Sequence, residues 1–151
     1  MPNKRNGAGD PTAMRVVAGV VVFRFVNKRL QVLLVHQTDK HKALWSIPKG
    51  GVRSGEDFEK GARREAQEET NVTLHQLDFL GYVDYGTAKR MYCFMGACPP
   101  QFDMKAKLPE IDKVGFFEVA IAKKMVDKRQ RAMIRTMQKI LAFARPHKST
   151  A

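Results

Sequence analysis

Apolar runs separated by polar turns account for most of the predicted strands of this chain. Residues 15–25 (RVVAGVVVFRF) form a β-branched, apolar run that predicts a buried strand. The turn signal at 27–28 and the apolar run at 30–35 predict a second strand that folds back on the first as a hairpin. The other predicted strands are one or two within 72–84, one at 90–98 that is hairpinned to them through a turn at 86–89, and a short one at 114–117.

Helical spacing replaces strand-like alternation in the remaining segments. Residues 58–70 predict a helix that begins after Asp57, a capping residue, and ends at Asn71, which tolerates the left-handed conformation. A short helix or turn is predicted at 121–126 and a longer helix at 128–144. The order of strands, helix, strands and helix predicts an α/β fold with a sheet between helices. The residues expected to face the core are Phe58, Ala62 and Ala66 in the first helix and Met133, Met137, Ile140, Leu141 and Ala144 in the last.

The last predicted helix carries a basic face beside its apolar stripe. A basic amphipathic helix can bind a membrane or a nucleic acid. A helix docked on the sheet with a solvated outer face has the same pattern and is the commoner case, so we favour it. The cations on this helix are Lys128, Arg129, Arg131, Arg135 and Lys139.

Length and composition indicate one globular domain. The chain has 151 residues, of which 44% are hydrophobic, enough for a substantial core. We expect a single domain at 15–144, a disordered leader at 1–14 and a flexible tail at 145–151. No apolar run reaches the length of a membrane span and no signal-peptide core is present, so we expect no membrane partner and a cytoplasmic location. The two cysteines, Cys93 and Cys98, then remain reduced thiols rather than a disulfide.

The formal net charge of +12 is consistent with a negatively charged partner. A basic surface attracts polyanions such as nucleotides, RNA, DNA or an acidic membrane face. General solubility would account for the charge equally well, so charge alone does not choose among these partners. Beside a phosphate-handling motif, the charge favours a substrate with several phosphates.

Three carboxylates in the first predicted helix supply the candidate chemistry. Glu65, Glu68 and Glu69 are spaced i, i+3 and i+4, which places them on one helical face. Like charges so placed repel each other, so their clustering indicates a bound cation. Oxygen ligands of this kind suit Mg²⁺, Mn²⁺ or Ca²⁺ rather than zinc. An ordinary solvated helix with an Arg64–Glu68 ion pair is the alternative.

The wider spacing around these carboxylates resembles the signature of the Nudix hydrolase family. Five residues separate a glycine from a glutamate, seven more precede an Arg-Glu pair, and a Glu-Glu pair follows two residues later. The family pattern has glycine where this chain has Asn71, a mild departure at the end of a helix. The resemblance implies an α/β/α sandwich with a mixed central sheet. The matching residues are Gly50, Glu56, Arg64, Glu65, Ala66, Glu68, Glu69 and Val72.

The resemblance also implies roles for individual residues. Metal ligands would come from the three helical carboxylates, from a backbone carbonyl near Lys49 or Gly50, and from Glu110, for which a plain surface glutamate is an equal alternative. Glu56 and Arg64 would pair and hold the loop against the helix. The general base would be Glu65 or a loop carboxylate. The catalytic set so implied is Glu65, Glu68, Glu69, Arg64 and Glu56; Mg²⁺ is the expected cofactor and Mn²⁺ its substitute.

Four residues are candidates for binding the substrate. Lys49 and Arg53 flank the signature and can meet phosphates. Lys42 is a loop cation with no fixed geometry, and Tyr85 is a candidate for stacking on a base, although aromatic residues more often belong to the core.

The resemblance implies cleavage of a phosphoanhydride in a nucleoside diphosphate linked to some group X. The stretch from Trp45 to Val52 (WSIPKGGV) is most similar to dinucleoside polyphosphate hydrolases and RNA pyrophosphohydrolases. We therefore expect RNA 5′-triphosphate ends or dinucleoside polyphosphates as substrates, and a homodimer is an open possibility. A nucleoside triphosphate pyrophosphohydrolase of the pool-sanitising type and a non-catalytic nucleotide or RNA sensor remain alternatives.

Overall fold

The computed structural model describes residues 13–38, 45–107 and 109–144. The predicted leader lies outside these residues except for its last two positions, and the predicted tail lies entirely outside them. Within these ranges the chain forms seven strands and three helices: β1 (Arg15–Val26), β2 (Arg29–Gln37), β3 (Trp45–Ser46), β4 (Lys49–Gly51), α1 (Phe58–Thr70), β5 (Asp78–Tyr85), β6 (Lys89–Ala97), β7 (Ile111–Glu118), α2 (Val119–Met125) and α3 (Lys128–Ala144).

The strands form one mixed sheet with β1 at its centre. The main path runs β3-β2-β1-β6-β5, while β4 pairs with β1 and β7 pairs with β2. β1 and β6 are parallel, and the other pairs are antiparallel. The two predicted hairpins, β1–β2 and β5–β6, are confirmed. At the first of them Asn27 and Lys28 both have positive φ, 51° and 67°, as a two-residue turn matched to the strand twist requires.

Helices cover both faces of the sheet, as the alternation along β1 shows. Ala18, Val20 and Val22 face α1, where they pack with Ala62 and Ala66. The intervening valines, Val17 and Val21, face α2 and α3 and pack with Met133, Ile134 and Met137. The predicted α/β fold with a mixed central sheet between helices is therefore confirmed. Within the described residues, no helix is both long and apolar enough to span a membrane.

Parts of the predicted core and of the predicted strand at 72–84 are wrong. Phe58, at the start of α1, was expected to face the core but is 38% exposed. In α3, Ile140 and Ala144 were expected in the apolar stripe but are exposed, whereas Ile134, which was not expected there, is fully buried. The buried stripe of α3 therefore lies nearer the N-terminal end of the helix than predicted, between Gln130 and Met137. Residues 72–77 were expected to be strand, yet they have no regular structure; Leu74 and Leu77 are buried there because the segment packs beneath α1.

Candidate active site

A cavity of about 600 Å³ lies where α1 meets β4 and where β2 ends beside the start of β7. Acidic residues line it together with a few cations, and apolar side chains are nearly absent. A cavity of this composition suits a charged ligand better than an apolar one. Its lining residues are Gln37, Thr38, Lys49, Gly50, Gly51, Arg53, Arg64, Glu65, Glu68, Glu69, Glu110 and Ile111.

Both ends of α1 are capped by the residues that the sequence indicates. The Asp57 carboxylate accepts a hydrogen bond from the backbone N–H of Lys60 at 2.8 Å. At the other end Asn71 has φ of 74°, and its N–H donates to the Gln67 carbonyl. The Asn71 side chain also donates to the carbonyl oxygen of Asp103 at 2.9 Å, a contact that glycine cannot make. Asparagine therefore closes the helix and also holds the following loop against it.

Gly50 is the point at which β4 touches the carboxylate face of α1. A Cβ built at Gly50 would overlap the carboxylate of Glu65, whereas one at Gly51 would meet no atom within 4 Å. The absence of a side chain at Gly50 thus allows the Glu65 carboxylate to lie directly on the strand backbone.

Arg64 links the loop before α1 to the acidic face of the helix. It donates to both carboxylate oxygens of Glu56, at 2.7 and 2.9 Å, and to the carbonyl oxygen of Gly51 at 2.8 Å. It also contacts Glu65 at 3.0 Å and Glu68 at 3.2 Å. These bonds hold the pKa of Glu56 down at about 2, chiefly through the hydrogen bonds from Arg64. The expected pairing of Glu56 with Arg64 is thus present.

Glu69 lies deepest in the acidic group. Burial raises its pKa to about 8, and the neighbouring charges of Glu65 and Glu110 add to that effect. The backbone N–H of Lys49 donates to its carboxylate at 3.3 Å and opposes the shift. Burial also raises the pKa of Glu65, against the opposing effect of Arg64. Two adjacent carboxylates are thus held where negative charge is costly, and a cation would relieve that cost.

Thr38 and Gln37 line the cavity, although sequence reasoning did not single them out. The Thr38 hydroxyl donates to the Pro109 carbonyl at 2.8 Å, and the Thr38 N–H donates to the Glu110 carbonyl at 3.0 Å. Thr38 therefore positions the segment that carries Glu110. No local signal marks it, because its role comes from contact with residues about seventy positions away.

The structure brings most of the candidate residues together. The exceptions are Tyr85 and Lys42: Tyr85 is absent from the cavity, and Lys42 lies outside the described residues. The Tyr85 hydroxyl donates to Asp127 at 2.9 Å, and its ring packs against the core beneath α3, which gives it a packing position instead. The residues gathered at the cavity are Lys49, Gly50, Arg53, Arg64, Glu65, Glu68, Glu69 and Glu110, while Glu56 lies behind them on Arg64.

The donor chemistry of this cavity suits a hard divalent cation. Every candidate ligand in the cavity is an oxygen atom, as Mg²⁺ and Mn²⁺ prefer. Within the described residues, no three acidic, histidine or cysteine side chains already converge on a single point. In the arrangement observed, Glu65 and Glu68 are ion-paired with Arg64, and Glu68 also contacts Arg53 at 3.3 Å. Side-chain rotation toward the cavity would be needed to collect the carboxylates around a cation.

Comparison with known proteins agrees with this architecture. The model of the NUDIX domain matches residues 14–137, most of the chain. The chain therefore belongs to the NUDIX family. The expected family membership is confirmed.

Individual relatives and solved structures are consistent with that family. An RNA pyrophosphohydrolase from Pelagibacter ubique is 39% identical over 80 residues, covering 52% of this chain and 49% of the relative. A Bis(5′-nucleosyl)-tetraphosphatase [asymmetrical] from Caenorhabditis elegans is 40% identical over 60 residues, covering 40% of this chain and 43% of the relative. The chain thus spans about half or less of the length of these curated relatives.

Two solved structures share the fold at lower identity. The binary complex of a C. elegans Ap4A hydrolase superposes with a TM-score of 0.74 at 24% identity, covering 85% of this chain and 98% of the other. The NUDIX domain of Shewanella oneidensis NrtR, complexed with ADP ribose, also gives 0.74, at 19% identity, covering 93% of this chain and 99% of the other. At these identities the likeness is one of fold.

Proposed function

We propose that the cavity is the active site of a metal-dependent pyrophosphohydrolase. The substrate would contain a nucleoside diphosphate linked to a further group. Water would attack one phosphorus of the phosphoanhydride, the bond from that phosphorus to the bridging oxygen would break, and the bridging oxygen would leave with the other fragment as a phosphate. The observation that carries this proposal is the placement of Glu65, Glu68, Glu69 and Glu110 around one cavity that also contains Lys49 and Arg53.

The cations of the cavity would bind and orient the phosphates. Lys49 and Arg53 lie on the strand and loop that precede α1, and both line the cavity. Arg53 contacts Glu68 at 3.3 Å, with its side chain 65% exposed, so it can turn toward an incoming phosphate. Charge-assisted bonds from these two residues would stabilise the negative charge that develops on the phosphoryl oxygens.

Glu65, Glu68, Glu69 and Glu110 would hold the divalent cation, Mg²⁺ or Mn²⁺, with a backbone carbonyl near Lys49 or Gly50. When bound, the cation polarises a phosphoryl oxygen of the substrate and neutralises phosphate charge. A carboxylate of the cavity, Glu65 or a loop residue, would accept a proton from the attacking water. Arg64 and Glu56 would keep the acidic face in position without touching the substrate.

Among substrates we favour RNA 5′-triphosphate ends and dinucleoside polyphosphates. Both carry at least three linked phosphates, and the chain has a formal charge of +12. The relatives named RNA pyrophosphohydrolase and Bis(5′-nucleosyl)-tetraphosphatase support the same two classes.

A side-by-side hydrolysis assay tests this proposal. Release of phosphate, pyrophosphate or nucleotide would be measured with Mg²⁺ on 5′-triphosphorylated RNA, diadenosine tetraphosphate, GTP and ADP-ribose. Glu68→Gln removes one cavity carboxylate and should reduce turnover by on the order of a hundredfold or more. The matched control is Glu59→Gln, on the same helix but outside the cavity and paired with Arg63, which should retain activity.

The possible results of this assay distinguish a hydrolase from a sensor. Mg²⁺-dependent turnover that Glu68→Gln abolishes and Glu59→Gln preserves would establish the hydrolase. Equal activity of the two variants would contradict the proposal that this cavity is the active site. Absence of turnover on all four compounds, together with binding of one of them that survives Glu68→Gln, would favour a sensor.

A further inference from the structure

A second charged groove lies on the other side of the sheet, between α2 and α3. These two helices pack against the core face opposite to that of α1, so the groove is separated from the candidate active site by the sheet. It has a volume of about 550 Å³. None of its lining residues is acidic, and four of the five are cations: Lys123, Lys124, Arg131 and Arg135, beside Ala120.

Two of the four cations are held in place by neutral groups. Arg131 Nε donates to the carbonyl oxygen of Lys123 at 2.8 Å, and its Nη2 lies 3.5 Å from the carbonyl oxygen of Val126. Lys123 Nζ donates to the side-chain oxygen of Gln138 at 2.9 Å. These acceptors orient the positive charges without neutralising them.

The other two cations face solvent. Lys124 and Arg135 are exposed, and neither forms an ion pair with any carboxylate in the part of the chain that the structure describes. Arg131 and Arg135 are also spaced i, i+4 on a helix whose sequence contains no acidic residue. Like charges at this spacing repel each other, and a bound polyanion would offset that repulsion by attracting both cations.

We propose that this groove binds the sugar–phosphate backbone of single-stranded RNA. Phosphates repeated along a strand match a group of cations that no carboxylate among the described residues neutralises. The lining contains neither an aromatic ring to stack on a base nor a large apolar side chain to enter a membrane, so it recognises the backbone rather than the sequence. The site does not depend on hydrolysis, because RNA without 5′ phosphates would bind it equally well.

The test is the affinity of the full-length protein for a labelled single-stranded RNA of about 20 nucleotides with a 5′-hydroxyl end. Fluorescence anisotropy would be recorded in EDTA between about 50 and 200 mM salt. Lys124→Gln/Arg135→Gln removes two groove charges. The matched control is Lys28→Asn/Lys60→Gln, which removes two exposed charges outside the groove. Lys124→Arg/Arg135→Lys keeps the groove charges and checks that loss of packing is not responsible.

The groove variant should bind RNA on the order of tenfold more weakly, and its salt slope should fall by about 1.4, since each lost phosphate contact contributes about 0.7. The control and the charge-preserving variant should change affinity by less than about twofold. Hydrolysis of a small substrate such as diadenosine tetraphosphate should be unchanged in the groove variant. If the proposed hydrolysis is absent altogether, the RNA affinities are still measurable, so the two proposals fail separately.

Three results would overturn the proposal. Equal losses in the groove variant and in the control would assign RNA binding to net charge alone. Complete displacement of RNA by inorganic tripolyphosphate at equal phosphate concentration would assign the groove to a small polyanion. Groove-dependent binding to phosphatidylserine vesicles that exceeds binding to RNA would assign it to a membrane surface.

Discussion

Arg64 donates two hydrogen bonds to Glu56, from Nε to one carboxylate oxygen at 2.7 Å and from Nη2 to the other at 2.9 Å. Both side chains are mostly buried, at 17% and 14% exposure. The fork of a guanidinium is required for this geometry, since a lysine ammonium can reach only as a point charge. This ion pair holds the loop that contains Arg53 against α1. Most of the cavity carboxylates lie on that helix.

Arg64→Lys should therefore lower the free energy of unfolding by about 1–3 kcal/mol, because a single ammonium keeps the charge but cannot donate to both Glu56 oxygens and to the Gly51 carbonyl at once. Denaturation in guanidinium chloride would measure the change. Arg29→Lys is the control, since Arg29 also contacts both carboxylate oxygens of one glutamate, Glu118, but does so from Nη1 alone and with its side chain 69% exposed. It should change stability by less than about 0.5 kcal/mol. Equal effects of the two substitutions would show that burial of the Glu56 pair is unimportant.

The low pKa of Glu56 gives a second prediction, in acid. Because the folded-state pKa of Glu56 is about 2, below the ordinary value of 4.5, the ionised carboxylate stabilises the protein above pH 4.5, and this contribution is lost as pH falls toward 2. The wild-type protein should therefore lose stability faster than Glu56→Gln across this range. Urea denaturation at several pH values would compare the slopes. Parallel curves for the two proteins would contradict the assigned pKa.

Gly50→Ala should disturb the cavity more than Gly51→Ala. A methyl group at Gly50 would collide with the Glu65 carboxylate, whereas at Gly51 it would meet no atom within 4 Å. Displacing a cavity carboxylate by about 1 Å can reduce turnover on the order of a hundredfold. The two variants would be compared by kcat on the best substrate and by thermal unfolding. A Gly50→Ala protein with unchanged kcat would exclude Glu65 from a precise role in the reaction.

Gln130 connects α3 to the segment that leads into β4. Its side-chain oxygen accepts a hydrogen bond from the Ile47 N–H at 2.9 Å, and its side-chain nitrogen lies 3.2 Å from the Ser46 hydroxyl. Gln130→Leu leaves the buried Ile47 N–H without a partner and should cost about 1–3 kcal/mol. Gln67→Leu, at an exposed position of α1, is the control and should change stability little. Chemical denaturation would distinguish the two.

Alkaline pH should destabilise the protein through Cys93. Burial raises the pKa of this thiol to about 12 from its ordinary value of 9.0. Because the folded-state pKa is raised, the neutral thiol makes its full contribution to stability below pH 9, and this contribution is lost as pH rises toward 12. Cys93→Ala and Cys93→Val should both lose stability less steeply than wild type over this range, by up to about 1.4 kcal/mol per pH unit. These two substitutions change the side-chain volume in opposite directions. A change in the pH slope that both share would therefore be due to loss of the ionisable thiol, and unchanged slopes would contradict the prediction.

Local signals made α1 predictable to the residue. Its bounds, Phe58–Thr70, follow from the Asp57 side chain, which caps the Lys60 N–H, and from the left-handed backbone of Asn71, whose N–H donates to the Gln67 carbonyl. The carboxylate face could be predicted for the same reason, since i, i+3 and i+4 spacing is a property of the helix alone.

Contacts across the fold could not be predicted in this way. Thr38 enters the cavity because β2 and β7 pair, and Gln130 reaches Ile47 because α3 folds back over the sheet. Tyr85 was assigned to the substrate from its residue type, but its hydroxyl donates to Asp127, a partner that only the tertiary arrangement supplies. In each case the decisive neighbour lies more than forty residues away in the chain.

The parallel pairing of β1 with β6 has a consequence for how the chain is made. Residues 15–23 hydrogen-bond to residues 89–97, so the central strand finds its neighbour only after about seventy further residues have been synthesised. Until then the β1–β2 hairpin emerges from the ribosome with its valine-rich faces exposed and with the edges that later pair with β6 and β7 still open. The nascent chain is therefore most exposed to aggregation, and most in need of chaperones, during synthesis of its middle third.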